Sequence, residues 1–275
     1  MHSKPLEMVL TEARELISDG AIELNLIGQD TSAYGQDIGY PGGLADLLKE
    51  LNKLQDLKWI RLLYAHPATI TDEIIEALAQ CQRVVKYIDI PLQHINDRIL
   101  KAMHRKVTRS QTETLIRKLR QRIPDIAIRT TLITGFPAET DAEFAELLEF
   151  VRQTRFSALG VFGFSCEPET PSAKLTGQLP EQVKQQRADA IMQAQQQIAF
   201  ARAAQQVGNT FEVIIDEQTS HNCFAARHAG QAPEVDALTY VLADGLKPGQ
   251  CLQVRCQSSQ GYDLIAQPRD DINLS

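Results

Sequence analysis

From Leu6 to Phe164 the spacing of apolar residues switches repeatedly between a helical and a strand period. Apolar residues three or four apart predict helices, and short apolar runs predict strands. The predicted helices are Leu6–Ile17, Leu44–Leu54, Thr71–Cys81, Arg109–Arg122 and Asp141–Arg152; the predicted strands are Ala21–Ile27, Lys58–Tyr64, Val85–Ile90, Ala127–Ile133 and Ala158–Phe164. Strands that alternate with helices favour an α/β fold with a parallel sheet. Because the chain opens on a helix, we expect its first βα unit to be partly missing.

The pattern changes near Gly208. Gln178–Gln206 is predicted as a long polar helix with few apolar residues, which is typical of a connection between domains. The remaining residues form short alternating segments separated by turn signals, and these predict a small all-β barrel. We therefore predict two domains, residues 1–207 and residues 208–275.

Polar side chains follow four successive predicted strands. The relevant residues are Gly28, Gln29 and Asp30 after the first strand, Tyr64, His66 and Pro67 after the second, Asp89, Gln93 and His94 after the third, and Thr131, Thr134 and Gly135 after the fourth. Ligands bind at the carboxyl ends of parallel strands. Each loop alone is an ordinary polar turn, and a lone histidine is more often structural than catalytic. Together the loops predict a binding site at one rim without naming a reaction.

Charge and composition narrow the functional classes. The formal net charge is −7, and Thr210–Ser275 has four Lys/Arg against nine Asp/Glu. An acidic surface attracts basic partners and disfavours general nucleic-acid binding, although it also serves simply to keep a protein in solution. No apolar run is long enough to cross a bilayer and the N-terminus lacks a signal-peptide core, so we expect a cytoplasmic protein.

The five cysteines do not form a recognisable ligand motif. They stand at positions 81, 166, 223, 251 and 256, and no two are spaced CxxC or CxxxC. Glu167 and Glu169 lie beside Cys166, and a reactive thiolate needs the opposite charge. We interpret Cys166 as unreactive, and Cys251 and Cys256 as core residues of the predicted barrel.

Several segments together resemble the radical S-adenosylmethionine methylthiotransferases. They are EARELISDGAIELNLIGQDTSAYGQD, WIRLLYAHPATITDEIIEAL, YIDIPLQHINDRILKAMHR and IRTTLITGFPAET, within a similarity that runs from Lys4 to Gln267. YAHP, DIPLQH and YDL are most similar to the branch that modifies a ribosomal protein. The resemblance implies a partial (βα)6 barrel followed by a TRAM domain. It also implies S-adenosylmethionine and [4Fe-4S] clusters as cofactors, and an aspartate β-carbon of the basic small-subunit ribosomal protein S-twelve as substrate.

The resemblance also implies where S-adenosylmethionine binds. Gly28 and Gln29 correspond to the region that meets its methionine part. The positions that correspond to its ribose and adenine site are Gln93, His94, Thr131, Thr134 and Gly135. No catalytic residue and no metal ligand is assigned.

Three departures from the family pattern stand out. Ala138 replaces the second glycine of GFPGET, and Glu169 replaces a glycine in the following loop. Both changes could obstruct a backbone that normally approaches a ligand. The family's CxxxCxxC motif would lie just before Ser3, and a domain with three further cysteines would precede it. Since the sequence contains neither, we expect this chain alone to be inactive.

Other functions stay open. The chain could be a non-catalytic module that binds the ribosomal protein, or a fragment of a transfer-RNA methylthiotransferase. It could also be an enzyme of another class that uses Gln29, His66, Asp89 and His94. An absent first strand would expose the edge at Ala21–Ile27, and we expect self-association from it.

Overall fold

The computed structural model describes residues 2–167 and 175–269, and it confirms an α/β unit followed by a small β-barrel. Glu169 lies outside the described residues. The helices are α1 (Leu6–Ser18), α2 (Gly43–Leu51), α3 (Asp72–Gln80), α4 (Asp97–Ala102), α5 (Arg109–Arg122), α6 (Asp141–Thr154) and α7 (Glu181–Gln206). The strands are β1 (Glu23–Leu26), β2 (Trp59–Leu62), β3 (Val84–Asp89), β4 (Ala127–Thr134), β5 (Ala158–Gly163), β6 (Thr210–Ser220), β7 (Cys223–His228), β8 (Thr239–Leu242), β9 (Cys251–Gln260) and β10 (Asp263–Pro268).

The first five strands form a parallel sheet in the order β1-β2-β3-β4-β5. Each strand lies beside the strands that precede and follow it in the sequence, as expected when all helical crossovers have the same handedness. Strand β1 lies at an edge of this sheet. Self-association through that edge stays a prediction.

Helix starts follow the capping signals of the sequence. Thr140 accepts a hydrogen bond from the backbone N–H of Glu143, whose side chain accepts from the N–H of Thr140, so the two residues form a capping box. Thr108 and Gln111 cap α5 in the same way. Asn96 caps the short helix α4 by accepting from two backbone N–H groups.

The two faces of the sheet have different partners. Helices α1, α2, α3, α5, α6 and α7 cover one face, and a large apolar core that includes Leu48, Ile60 and Ile88 lies between them and the strands. The other face is concave, and its lower part packs on the second domain through Trp59 and Ile214, among others. Burial of this apolar surface stabilises the domain contact.

Strands β6 to β10 close into a barrel in the order β10-β8-β7-β6-β9. Ion pairs join this barrel to the sheet. The fully buried Arg61 donates to Glu23 over 2.8 Å, and Arg227 of the barrel donates to the second oxygen of Glu23 over 2.7 Å. Because each of these buried charges has an opposite partner, they fix how the two domains meet without leaving an uncompensated ion.

None of the helices in the described part of the chain is long and apolar enough to span a lipid bilayer.

Candidate functional site

The loop after β3 is drawn back onto β4 and holds Gln93 at the concave side of the sheet. The N–H of Gln93 donates to the carbonyl of Thr131 over 2.9 Å, and the N–H of Ile133 donates to the carbonyl of Gln93 over 2.7 Å. These bonds form a parallel bridge between Gln93 and Leu132. Gln93 has φ +70°, in the left-handed region, where a non-glycine residue is strained. The structure thus brings together two predicted site residues, Gln93 and Thr131.

Two amide oxygens at this side of the sheet have no hydrogen-bond partner among the described residues. They are Oε1 of Gln93 and Oδ1 of Asn25, and both are buried. Asn25 alternates along β1 with the core residue Leu24, so it lies on the concave face. Buried acceptors without a donor are unfavourable, and a ligand with N–H or O–H groups would satisfy them.

The loop after β1 is tied to the end of β2. Thr31 donates its N–H to the carbonyl of Tyr64 over 3.1 Å and its hydroxyl to the carbonyl of Leu63 over 2.6 Å. Gly28 is half-buried and Gln29 is exposed. Gly28 and Gln29 therefore sit in a loop fixed at the carboxyl ends of β1 and β2, where the sequence predicted them.

Three other predicted site residues are enclosed by protein. His94 is fully buried, its Nδ1 accepts from the N–H of Asn96 over 3.0 Å, and burial lowers its pKa to about 4. Thr134 and Gly135 are also buried. A Cβ on Gly135 would lie 2.4 Å from Cγ of Lys184 on α7. These residues can shape the rim from beneath, and direct contact with a cofactor stays a prediction.

Glu139 organises this buried turn, and the sequence analysis missed it. One carboxylate oxygen accepts from the N–H groups of Gly135 and Phe136 over 2.8 and 3.2 Å, and the other accepts from Arg187 over 2.7 Å. Burial raises the pKa of Glu139, against the opposing effect of Arg187. Nε2 of His94 lies 3.8 Å from the same carboxylate. The only sequence signal for Glu139 is that it is an acidic residue in an otherwise apolar turn.

A polar network reaches the concave face from both domains. Asp89 accepts from the N–H of Tyr64 over 3.3 Å and from Arg129 over 3.1 Å. Asp236 of the second domain accepts from the hydroxyl of Tyr87 over 2.8 Å and lies 3.4 Å from Nε of Arg129. Burial raises the pKa of Asp89, and Arg129 opposes that shift. The second domain is thus part of the floor of the site.

The residues proposed for an enzyme of another class differ in their exposure. Gln29 is exposed, His66 is half-buried, and Asp89 and His94 are buried. Within the described ranges these four side chains make no hydrogen bond to one another.

The cysteines present do not fit an iron–sulfur cluster. Among residues 2–167 and 175–269, no three His, Cys, Asp or Glu side chains are grouped as metal ligands. Cys81 and Cys256 are buried, and burial raises the pKa of their thiols. Cluster ligands must be thiolates in a fixed arrangement, and the described residues show no such grouping.

Comparison with known protein families gives the class of this protein. Residues 1–151 match the family described as the Radical SAM superfamily, and residues 207–268 match the TRAM domain. The chain belongs to the radical SAM superfamily and carries a TRAM domain.

More particular similarity comes from individual relatives. The chain is 42% identical over 273 residues to the ribosomal protein uS12 methylthiotransferase RimO of Syntrophotalea carbinolica, a match that covers 98% of the chain and 60% of that protein. It is 43% identical over 266 residues to the protein of the same name from Anaeromyxobacter sp. (strain K), with 96% and 56% covered. The chain thus spans somewhat more than half the length of these relatives.

A solved structure supports the fold alone. Coproporphyrinogen III oxidase (HemN) from Escherichia coli, a radical SAM enzyme, superposes with a TM-score of 0.51 at 15% identity, covering 82% of this chain and 60% of that one.

Proposed function

We propose that this chain is part of a methylthiotransferase that adds a methylthio group to an aspartate β-carbon of small-subunit ribosomal protein S-twelve (uS12). The observation that carries the proposal is the 42% identity to a RimO protein over 98% of the chain. Because the chain covers 60% of that relative, the activity is proposed for the whole protein. We propose residues 1–207 and 208–275 as its two functional units. We also propose that it acts in the cytoplasm, at the ribosome.

The rim of the sheet fits S-adenosylmethionine. The cofactor offers N–H and O–H donors on its ammonium, ribose and adenine groups, and Gln93 and Asn25 have buried oxygens that lack donors. When bound, S-adenosylmethionine supplies the methyl group and, after reductive cleavage, the hydrogen-abstracting species. Gln93 and Thr131 would hold its ribose and adenine side, and Gly28 and Gln29 its methionine side. His94, Thr134 and Gly135 would support that rim from beneath.

Two contacts orient the rim. The bridge to β4 fixes the backbone of Gln93 on both sides, so its amide is held toward the concave face. Asp89 accepts from the N–H of Tyr64, which follows β2, has φ +55° and is 44% exposed. Strained residues of this kind persist where the surroundings hold them, and they cluster at ligand sites.

The iron–sulfur cluster does not fit this chain's residues, so no step through it is assigned to them. We propose that this chain by itself does not cleave S-adenosylmethionine. Anaerobic reconstitution with iron and sulfide checks this, with S-adenosylmethionine cleavage as the readout. Cleavage above that of a variant in which all five cysteines are serine would contradict the proposal.

The function itself is tested in source cells from which the coding gene has been deleted. We expect intact-protein mass spectrometry to show that uS12 loses one methylthio group and that the wild-type gene restores it. The Gln93→Ala gene should fail to restore it, whereas the matched Gln80→Ala gene should succeed, because Gln80 is exposed at the end of α3. Unchanged uS12 together with loss of a methylthio group from transfer RNA would favour the transfer-RNA branch instead.

A non-catalytic binding module is the second candidate function. It is favoured by the acidic charge of Thr210–Ser275, with four Lys/Arg against nine Asp/Glu, which suits a basic partner. Capture of uS12 by this chain, combined with unmodified uS12 in wild-type cells, would support it. Methylthiolated uS12 that depends on the gene would overturn it.

A further inference from the structure

A cavity of about 920 Å³ lies where the sheet, α7 and the TRAM barrel meet. The first half of β4 and β5 forms one wall, including Arg129 and Gly160, and α7 forms a second. The third wall consists of turns of the TRAM barrel around Gly230 and Tyr262. Ligand pockets favour domain interfaces, and this volume is within their usual range of roughly 300–1,000 Å³. Gln93 of the rim does not line the cavity, whereas Arg129 and Asp236 of the polar network do.

Helix α7 presents two polar groups to this cavity that lack partners. Gln195 is 2% exposed, and its amide nitrogen donates to the carbonyl of Phe156 over 3.1 Å. That bond fixes the orientation of the amide and leaves its Oε1 buried without a donor among the described residues. Arg202 lies seven residues further along the helix on the same side, about 10.5 Å along the axis.

Arg202 is a half-buried cation without a hydrogen bond or ion pair among the described residues. Burial lowers the pKa of Arg202, the neighbouring Arg155 lowers it further, and Asp125 opposes them. A desolvated guanidinium beside another cation is unfavourable, and an anion bound to it would relieve the cost.

The other lysine and arginine of the cavity already have partners, and its aspartates Asp125, Asp236 and Asp263 are acceptors that do not compete for an anion. The ammonium of Lys86 donates to backbone carbonyls, among them those of Ala79 and Cys81 over 3.0 and 3.1 Å. Arg129 is paired with Asp89 and Asp236. Arg202 is therefore the cation of this cavity with free donors, and Gln195 supplies the free buried acceptor.

Apolar side chains border the same cavity. Met192, Val235 and Tyr262 are 38%, 50% and 41% exposed and all line it. The Tyr262 ring is braced edge-on by Phe200, with ring centroids 5.0 Å apart. A flat ring of a ligand would bury this exposed apolar surface by stacking on Tyr262.

We propose that the interdomain cavity binds a nucleoside monophosphate, with its phosphate on Arg202 and a base N–H donor on Oε1 of Gln195. Guanidinium groups match phosphate geometry, aromatic rings stack on bases, and an amide oxygen accepts from a base amino group. The proposal concerns this cavity alone and holds or fails independently of uS12 modification.

The test is titration calorimetry of the 275-residue chain with adenosine monophosphate as the probe. We expect saturable binding that Arg202→Gln weakens about tenfold or more, since a charge-assisted phosphate contact is lost. Adenosine lacks the phosphate, so its affinity for the wild-type chain should be lower than that of adenosine monophosphate by the same factor. Purine riboside monophosphate lacks the amino group and should bind about fivefold more weakly, in line with one neutral hydrogen bond.

Two variants serve as controls. Arg155→Gln removes a neighbouring exposed cation outside the cavity lining, and Gln93→Ala alters the separate rim of the sheet. Neither should change the affinity by more than about twofold. The Arg202→Gln chain should remain folded, because Arg202 has no partner to lose.

Any of four results would overturn the proposal. They are no saturable binding of adenosine monophosphate, unchanged affinity in Arg202→Gln, an equal loss in Arg155→Gln or Gln93→Ala, and binding of inorganic phosphate as tight as that of the nucleotide.

Discussion

The carboxyl ends of β3 and β4 both carry predicted site residues but differ in what covers them. Each is followed by a residue with positive φ, +70° at Gln93 and +72° at Gly135. Gln93 keeps a buried amide oxygen without a donor at the concave side of the sheet. Gly135 lies under Lys184 of α7, and its N–H is taken by Glu139. The comparison shows that a later helix seals one polar strand end and that the other keeps an unpaired acceptor.

The sealed turn after β4 depends most on Glu139, so Glu139→Ala is expected to have the largest effect. It removes the partner of buried Arg187 and the acceptor for two backbone N–H groups. Breaking a buried ion pair in this way costs about 4 kcal/mol of unfolding free energy. Urea denaturation measures the change.

Glu143→Ala is the matched control for Glu139, since Glu143 lies four residues on and pairs with the exposed Arg98. Loss of its capping interaction should cost about 1 kcal/mol. Equal losses in the two variants would show that Glu139 does not organise the turn.

The tight cover over Gly135 predicts the next largest effect, for Gly135→Ala. The new Cβ would lie 2.4 Å from Cγ and 3.0 Å from Cβ of Lys184, and the backbone has φ +72°. Crowding together with left-handed strain should cost about 3 kcal/mol in urea denaturation. Gly20→Ala tests the strain alone, because Gly20 has φ +98° and nothing within 4 Å of a new Cβ, and it should cost about 1 kcal/mol. A Gly135→Ala chain as stable as Gly20→Ala would argue against a sealed turn.

His94 lies between the two strand ends and predicts a pH dependence. Burial lowers its pKa from 6.5 to about 4 in the folded chain, so the unfolded chain takes up the proton first as pH falls. The free energy of unfolding that depends on neutral His94 is therefore fully present above about pH 6.5. It falls by about 3 kcal/mol as the pH is lowered toward 4. His228, whose pKa is also about 4, adds a similar loss.

Substituting His94→Asn should reduce the slope of unfolding free energy against pH between 6.5 and 4 by about half. The reason is that His228 remains as the second titrating group. Urea denaturation at a series of pH values measures this slope. An unchanged slope would mean that His94 is not held neutral between the two strand ends.

Much of the fold could be predicted because it follows from the local spacing of apolar residues. The alternation of apolar runs predicted all five parallel strands and placed the β-barrel after the long helix.

The site was less predictable, because its accessibility depends on distant segments. Lys184 covers Gly135 from 49 positions away, and Asp236 reaches Arg129 from the other domain. The sequence shows which residues follow each strand, but not which of them a later helix or barrel encloses. Gln93 and Gly135 were therefore assigned to one site although the structure treats them differently.

The smallest predicted effect is at Ala138, a position where the family that this sequence resembles has glycine. Ala138 has φ +61° and is exposed at the outer end of the sealed turn, where its N–H donates to the carbonyl of Gly177 over 2.7 Å. Ala138→Gly relieves left-handed strain of about 1–2 kcal/mol and adds unfolded-chain entropy of somewhat less, so we expect a net gain of about 0.5–1 kcal/mol. Ala142→Gly, in the first turn of α6, should instead lose about 1 kcal/mol. If urea denaturation shows that Ala138→Gly gains stability and Ala142→Gly loses it, the backbone of this turn still favours the conformation that glycine adopts. A loss of stability in both variants would show that the turn has adapted to alanine.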